Sequence, residues 1–316
     1  MKLGILMDPL HKLKPHLDST VAMIQSADKL GWSCAYFTPA DLFCRDGSAY
    51  ANTYAITVAD EKTENWAQTR ALGIQPLTAF DIILMRKDPP FDMEYVYLTY
   101  ALELAERGGV LIANKPQSLR DANEKFFTLN FPQCCPTTLV SCNISRLREF
   151  WQNHKNVIFK PLDGMGGHSI FHVNEDGRNL SVILETLTHG QTLNIMAQHY
   201  IAEISTMGDK RVLLINGEPV PYGLARIPAA GELRGNLSAG AHGKVVPIND
   251  RDRWLCAQIA PVLLAKGLYF VGIDIIGDYL TEINVTSPTC VREIMTETGL
   301  DISGDYLRFL ASIKQN

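Results

Sequence analysis

Residues 81–86 read DIILMR, an apolar run with no polar alternation. A run this short fits a strand covered on both faces, as strands of parallel sheets are. KLGILM near the start and SCAYFT further on are of the same kind. Between those two, DSTVAMIQSADKLG places Asp18 where an N-cap belongs and Gly31 just past the last apolar position, marking a helix at both ends. A second helix is expected near 93–107, closed by Gly108 and Gly109 and followed by the strand VLIAN. This rhythm implies an open parallel α/β sheet with both faces covered.

The pattern changes after residue 115. SLRDANEKFFTL sets Ser118 and Asp121 at capping-box spacing, and Leu119, Ala122, Phe126 and Leu129 then make a helical stripe with Lys125 beside it. Hairpins follow: VIFK with SIFHV around a glycine-rich loop, KRVLLING with EPVPYGLARI across Asn216-Gly217, and VGIDIIG with DYLTEINV. A mixed, mainly antiparallel α+β part therefore succeeds the α/β part. Residues 228–247, PAAGELRGNLSAGAHGKVVP, are too poor in large apolar residues to pack a core. A loop this long is functional or merely a neutral surface loop, and Arg234 and Asn236 in its middle favour a mobile lid.

Composition excludes several classes. The 316 residues carry a net charge of −5 with Lys and Arg scattered, so no nucleic-acid surface is expected. No apolar run approaches the ~20 residues that span a bilayer. The opening MKLGILMDPL is interrupted by Asp8 and reads as a first strand, not a signal peptide. The 7 cysteines are odd in number and include no C-x-x-C, which suits a reducing cytoplasm. Cys290 reads as a small buried hydrophobe.

The stretch FKPLDGMGGHSI (159–170) poses the chemical question. Gly164, Gly166 and Gly167 crowd behind Lys160, either as a tight turn or as bare amides that cover an anion. The P-loop pattern fails, since Gly243-Lys244 is followed by Val245 and position 238 is Ser. The dinucleotide fingerprint fails as well, with Ser169 where its third glycine belongs. Because the loop joins two paired strands, its amides would have to fold over a phosphate as a flap. Lys125 and Lys160 near partly buried positions need anionic partners, unless they reach water.

In VGIDIIGDYLTEINV, Asp274 interrupts an apolar run and must find a cation or lose its charge. Glu282 and Asn284, two apart, face one side of their strand. Three oxygen ligands on one face suit magnesium, a hard cation that shares its sphere with phosphates. A simple two-residue turn at Gly277-Asp278 would set Ile273 opposite Glu282 and leave Asp274 on the other face. The metal reading therefore requires an odd loop or a bulge. His168 and His172 share a strand face, but no cysteine or carboxylate stands with them to make a zinc site.

Taken together, ILMRKDPPFD (83–92), NKPQSLRDANEK, FKPLDGMGG, DKRVLLINGEPVPYGLARIP, RGNLSAG and LTEINVTSPTCVREI resemble the ATP-grasp carboxylate–amine ligases, and within them the bacterial glutathione synthetase family. The flap and the D…E-x-N hairpin belong to the wider group; MRKDPPFD with NVTSPT carries the narrower resemblance. A ligase joining D-alanines or adding glutamate would lack MRKDPPFD, and a non-catalytic nucleotide-binding module could lose a metal ligand. The resemblance implies an ATP-grasp fold of three parts: an N-terminal open parallel α/β domain (1–122), and two α+β subdomains clasping ATP. One of these (123–200) carries the flap; the other (201–316) carries the metal hairpin and the mobile loop 228–247.

The resemblance further implies that γ-glutamylcysteine is phosphorylated by ATP on its cysteinyl carboxylate and then attacked by glycine. Lys125 and Lys160 would hold phosphates under Gly164, Gly166 and Gly167, with Gln198, Tyr200 and Ile201 bordering adenine. Asp274, Glu282 and Asn284 would bind two Mg2+ ions, which Mn2+ could replace. Arg211, Arg226, Arg234 and Asn236 would serve the acyl phosphate and the transition state. Arg86 and Ser287 would lie on the dipeptide side, with Arg292 toward glycine. A homotetramer or homodimer with no nucleic-acid or membrane partner is also implied, and His168 departs from the small residue expected behind the flap.

Overall fold

The computed structural model describes residues 1–63, 65–229, 235 and 240–315. Strands β1 (Lys2–Met7) and β2 (Ser33–Phe37) flank helix α1 (Ser19–Lys29) in sequence and pair in parallel, with Gly4 opposite Ala35. The Asp18 carboxylate accepts from the Thr20 and Val21 amides, so the expected cap is in place. Strands β3 (Leu42–Arg45), β4 (Ser48–Val58) and β5 (Ala67–Pro76) come next, then β6 (Ile82–Arg86), α2 (Met93–Arg107) and β7 (Leu111–Ala113). The sheet runs β3-β4-β2-β1-β6-β7, with β5 on the far side of β4.

Only β2, β1, β6 and β7 are parallel, so the expected open parallel sheet is corrected on one side. β4 runs antiparallel to β2, β3 and β5. The reason lies in residues 42–76: β4 alternates buried and less buried positions, and Asp46-Gly47, both at positive φ, turns β3 straight back into it. Both faces are nonetheless covered. Leu6, Met85 and Leu102 pack on the α2 side, while Leu3, Ile5, Val21 and Ile24 pack on the α1 side.

Helix α3 spans only Pro116–Asp121, and the helical stripe expected to run on through Leu129 stops there. Ser118 is no cap; its hydroxyl donates to the Lys266 carbonyl. Asn123 opens a separate 3-10 turn instead, its Oδ1 accepting from the Lys125 and Phe126 amides, and Phe126 lies exposed.

A second sheet follows, built from β8 (Thr138–Ser141), β9 (Val157–Pro161), β10 (Phe171–Val173) and β11 (Ile195–His199) in the order β10-β9-β11-β8. Helices α4 (Ile144–His154) and α5 (Leu180–Leu187) close one face of it, with Leu147, Phe159, Leu184 and Ala197 in the core. After the short α6 (Ile204–Met207), strands β12 (Asp209–Ile215), β13 (Glu218–Ile227) and β14 (His242–Pro247) precede α7 (Asp250–Ala265) and the hairpin β15 (Phe270–Ile276)–β16 (Tyr279–Asn284). They form a third sheet, β14-β13-β12-β15-β16, whose Val212, Leu214, Ile273 and Leu280 pack on Leu255, Ile259 and Leu263 of α7. Asn216-Gly217, both at positive φ, makes the expected tight turn.

The reading of 228–247 as a single loop is corrected at its end, where β14 pairs along β13 from Tyr222 to Ile227. Arg234 and Asn236 lie outside the described residues. Helix α8 (Val291–Thr298) leads to α9 (Ile302–Gln315), which returns to pack against α1. Among the described residues no helix is long and apolar enough to cross a membrane, and all seven cysteines are free.

One buried amide ties the first sheet to the third. Asn114, just after β7, donates to the Phe270 and Val285 carbonyls and accepts from the Tyr269 and Phe270 amides. Removing it leaves four backbone groups without partners, each worth roughly 1–3 kcal/mol when buried and unpaired. Asn114→Ala is expected to lower unfolding free energy by about 3 kcal/mol or more in urea titration. Asn114→Asp, which keeps the acceptors and loses both donors, should fall between wild type and Asn114→Ala.

Candidate active site

The open face of the third sheet looks toward the second sheet across a cavity of about 680 Å3. On the second sheet, Ile158, His172 and Gln198 sit side by side on β9, β10 and β11, and Lys160 lies two residues further along β9 on the same face. Tyr200 stacks on His172 with ring centroids 4.1 Å apart. Burial holds the His172 imidazole below its usual range, so the stack is neutral. Gln198 is fixed by its own bonds, donating to Thr138 and accepting from Lys160. These residues make one end of the cavity flat, aromatic and largely apolar.

Toward the middle, Lys125 and Lys160 converge from different elements. The Lys125 Nζ donates to the Gly164 carbonyl at 2.6 Å and lies 3.5 Å from Glu282. The Lys160 Nζ reaches the Thr281 carbonyl at 3.5 Å and lies 4.0 Å from Glu282. Neither lysine reaches bulk water; both are buried. Burial pushes the Lys160 ammonium down, with Glu282 pulling the other way. The glycine loop arches over this pair: Gly164, Gly166 and Gly167 line the cavity, and Gly166 and Gly167 adopt positive φ. His168 follows on an exposed part of the loop and does not close it off.

The third sheet supplies a row of charges. Asp274 on β15 accepts a bidentate pair from Arg211 of the neighbouring β12, and Arg226 Nη2 lies 3.0 Å from Oδ2, which it shares with Arg211 Nη2. Arg226 is in turn gripped by Asp209 at 2.6 and 2.8 Å. Burial by itself would raise the Asp274 carboxyl, but the two guanidiniums outweigh it and hold the group well below the usual carboxylate range. Room for Arg211 comes from Gly272, where a Cβ would stand 2.8 Å from Arg211 Cδ.

The hairpin register meets the condition set by the sequence. The turn has two residues, with Ile276 opposite Tyr279 and Ile275 opposite Leu280, and a bulge then places Asp274 opposite Glu282. Thr281 is the extra residue, and its hydroxyl donates to the Asp274 carbonyl. Asn284 donates through Nδ2 to the Gly272 carbonyl and Asp274, which leaves its Oδ1 as the ligand atom. Among the described residues no three His, Cys, Asp or Glu side chains cluster as a metal cage. The donors here are all hard oxygens, two carboxylates and one amide. They fit a divalent ion that completes its shell with phosphate and water oxygens.

Of the residues singled out from sequence, Lys125, Lys160, Gly164, Gly166, Gly167, Gln198, Tyr200, Ile201, Arg211, Arg226, Asp274, Glu282, Asn284 and Ser287 all border this cavity. Arg86 does not border it: the side chain is buried beneath, donating to Thr20 and the Pro288 carbonyl. Arg292 is committed to Glu61 at 2.6 Å and to the Asp18 carbonyl, also off the cavity wall. Three cavity acids went unread in sequence: Asp88, Glu124 and Asp209. Asp209, two residues before Arg211 on one strand, was bound to share its face. Burial raises the Glu124 carboxyl, with Glu282 adding to the effect and Lys125 opposing it.

A model of the prokaryotic glutathione synthetase N-terminal domain matches residues 1–120, and one of the prokaryotic glutathione synthetase ATP-grasp domain matches 124–299. The chain is 55% identical over 294 residues to a glutathione synthetase of Pseudomonas aeruginosa, covering 93% of this chain and 92% of that one. It is 49% identical over 310 residues to one of Coxiella burnetii, covering 98% and 96%. Among solved structures, D-cycloserine synthetase DcsG superposes with a TM-score of 0.70 at 12% identity, covering 99% of this chain and 100% of that one. D-alanyl-alanine synthetase A from Vibrio cholerae gives 0.61 at 12%, covering 100% and 99%. The structural likenesses speak for the fold alone, which is ATP-grasp.

The charge row makes a pH prediction. A carboxyl held below its unfolded value lends stability that is complete above about pH 4 and is lost as pH falls toward the folded value. Asp274→Asn, which strands the buried Arg211 guanidinium and leaves Arg226 with Asp209 alone, is expected to cost about 3–5 kcal/mol at neutral pH. The gap between wild type and variant in denaturant titrations should stay level from about pH 5 to 8 and narrow below about pH 4.

Proposed function

The chain belongs to the prokaryotic glutathione synthetase family of ATP-grasp ligases and makes glutathione with ATP, and from that premise we propose how its residues divide the work. The carrying observation is that two buried lysines, a glycine loop and the Asp274–Glu282–Asn284 face meet in one cavity.

ATP lies with its adenine against Ile158, Tyr200 and Ile201 and its phosphates between Lys125, Lys160 and the amides of Gly164, Gly166 and Gly167. Two buried ammonium groups suit a polyanion, since each is otherwise costly to hold away from water. Asp274, Glu282 and Asn284 hold the divalent ions, two Mg2+ with Mn2+ able to replace them; bound there, the metal would neutralise phosphate charge. The cysteinyl carboxylate of γ-glutamylcysteine attacks the γ-phosphorus and ADP leaves. The amine of glycine then attacks the acyl carbon, and the carbon–oxygen bond to phosphate breaks.

Both steps gather negative charge on oxygen, and neither needs a protein nucleophile. Arg211 and Arg226, fixed in advance by Asp274 and Asp209, face that charge without reorganising. Arg234 and Asn236, outside the described residues, join this set on sequence resemblance alone. Ser287 serves the dipeptide, and Arg86 supports that end from below. Arg292 toward glycine is supported by sequence resemblance alone. The division at 1–122, 123–200 and 201–316 is supported by the three separate sheets. A cytoplasmic setting is supported by the unpaired cysteines, and a dimer or tetramer remains for sedimentation to measure.

Mass spectrometry of the product from ATP, Mg2+, γ-glutamylcysteine and glycine should find glutathione, with sustained release of ADP only when glycine is present. Glu282 is partly solvated but is the carboxylate nearest both buried lysines, so Glu282→Ala should stay folded and melt at a lower temperature than wild type. Turnover in that variant is expected to drop by roughly a hundredfold or more. Near-wild-type turnover would remove Glu282 from the metal site.

A further inference from the structure

The segment MRKDPPFD has no role in the chemistry described so far, yet it ends on the cavity. β6 runs into it at the carboxyl end of the parallel strands, where Arg86 pairs with Met7 of β1 and α1 begins nearby. Open parallel sheets bind ligands at that end. Arg86 is turned inward to Thr20 and the Pro288 carbonyl, and Lys87 donates to the Asp88 carbonyl and lies 3.6 Å from Asp8. Asp88 is left facing the cavity, on the wall shared with Ser287, Thr289 and Cys290. Its backbone is pinned by an amide bond to the Asp8 carboxylate, and Ser287 lines the same cavity beside it.

Five described carboxylates line the cavity: Asp88, Glu124, Asp209, Asp274 and Glu282. Asp209 and Asp274 are spent on Arg226 and Arg211, and Glu282 is within reach of Lys125 and Lys160. Glu124 takes the Thr286 hydroxyl and lies beside Glu282 at the lysine end. Asp88 makes no ion pair among the described residues; it is exposed on the cavity wall, with the buried Arg86 guanidinium acting on it from within. A carboxylate open to the cavity can take a cation from a ligand, and one of the substrates carries one. γ-Glutamylcysteine bears a single ammonium, on the α-carbon of its γ-glutamyl end, remote from the cysteinyl carboxylate that reacts.

We propose that the Asp88 carboxylate binds the α-ammonium of the γ-glutamyl group, with Ser287 holding the carboxylate in place, and so selects this dipeptide over acids that lack the amine. The proposal rests on the ligase reading above. It accounts for a double-proline loop on the cavity wall: the dipeptide is registered by its far end, and its reacting carboxylate is thereby presented toward the arginines.

The test compares γ-glutamylcysteine with glutarylcysteine, the same skeleton without the α-ammonium, in wild type and Asp88→Asn. Asp88 is exposed in the free protein, so the variant should melt as wild type does. Wild type is expected to favour γ-glutamylcysteine on the order of tenfold or more in kcat/KM, and Asp88→Asn to lose that preference. The variant's KM values for ATP and glycine should stay within about twofold of wild type. Calorimetric binding of the two ligands reads the same ratio without turnover. An equal preference in wild type and variant overturns the assignment, as does a rise confined to the glycine KM. Failure of wild type to make glutathione would count against the ligase reading instead, and the calorimetric ratio would still judge Asp88.

Discussion

Asp274, Arg211 and Arg226 lie together at 4%, 6% and 4% exposure, where a charge without a partner is expensive. Their geometry has to be good, because the desolvation of three ions exceeds the attraction of a loosely matched set. Strand register provides it. Arg211, Asp274 and Glu282 stand opposite one another in one row across β12, β15 and β16, and Asp209 opposite Arg226 lies two residues along β12 on the same face. Backbone ladders fix that row, and it does not depend on flexible side chains finding each other. The glycine at 272 follows from the same demand, since any side chain there would displace Arg211.

The opposite face of the same sheet shows why the row can be rigid. Val212, Leu214, Ile273 and Leu280 are fully or almost fully buried against α7, and a one-residue slip would exchange them with the charges. Hydrophobic burial thus sets the register that the polar face requires. The β12–β13 ladder shifts register between Val212 and Leu214, and the Thr281 bulge lets Glu282 face the cavity beside Asp274 although the turn at Gly277-Asp278 has only two residues.

Much of this was legible in the sequence because it rests on alternation and on turn chemistry. The periods of β1, β2, β6 and β7, the cap at Asp18 and the Asn216-Gly217 turn each have a local cause, and the bulge followed from requiring Asp274 and Glu282 on one face. What escaped depended on tertiary partners. The α3 stripe reads as continuous, yet Asn123 breaks it by capping a new turn, and no window of residues reveals that Ser118 will bond Lys266. An ion pair explained Arg292 as well as glycine did, but its partner Glu61 is 231 positions away and no local pattern names it. The antiparallel side of the first sheet was missed because attention to helix-linked strands passed over Asp46-Gly47.

The cavity of the free protein holds its own counter-ions: Lys125 and Lys160 lean on Glu282, and Arg211 and Arg226 on Asp274 and Asp209. A nucleotide adds negative charge that the lysines can meet only by sharing Glu282 less, and the acids so released are then the oxygens a divalent ion needs. Nucleotide and metal are therefore complementary occupants, each relieving the charge the other introduces. The Lys125 bond to the Gly164 carbonyl ties this exchange to the glycine loop. If the ammonium turns from that carbonyl to a phosphate, the loop is freed to present its amides to the same anion, so closing the cover and binding the phosphate become one event.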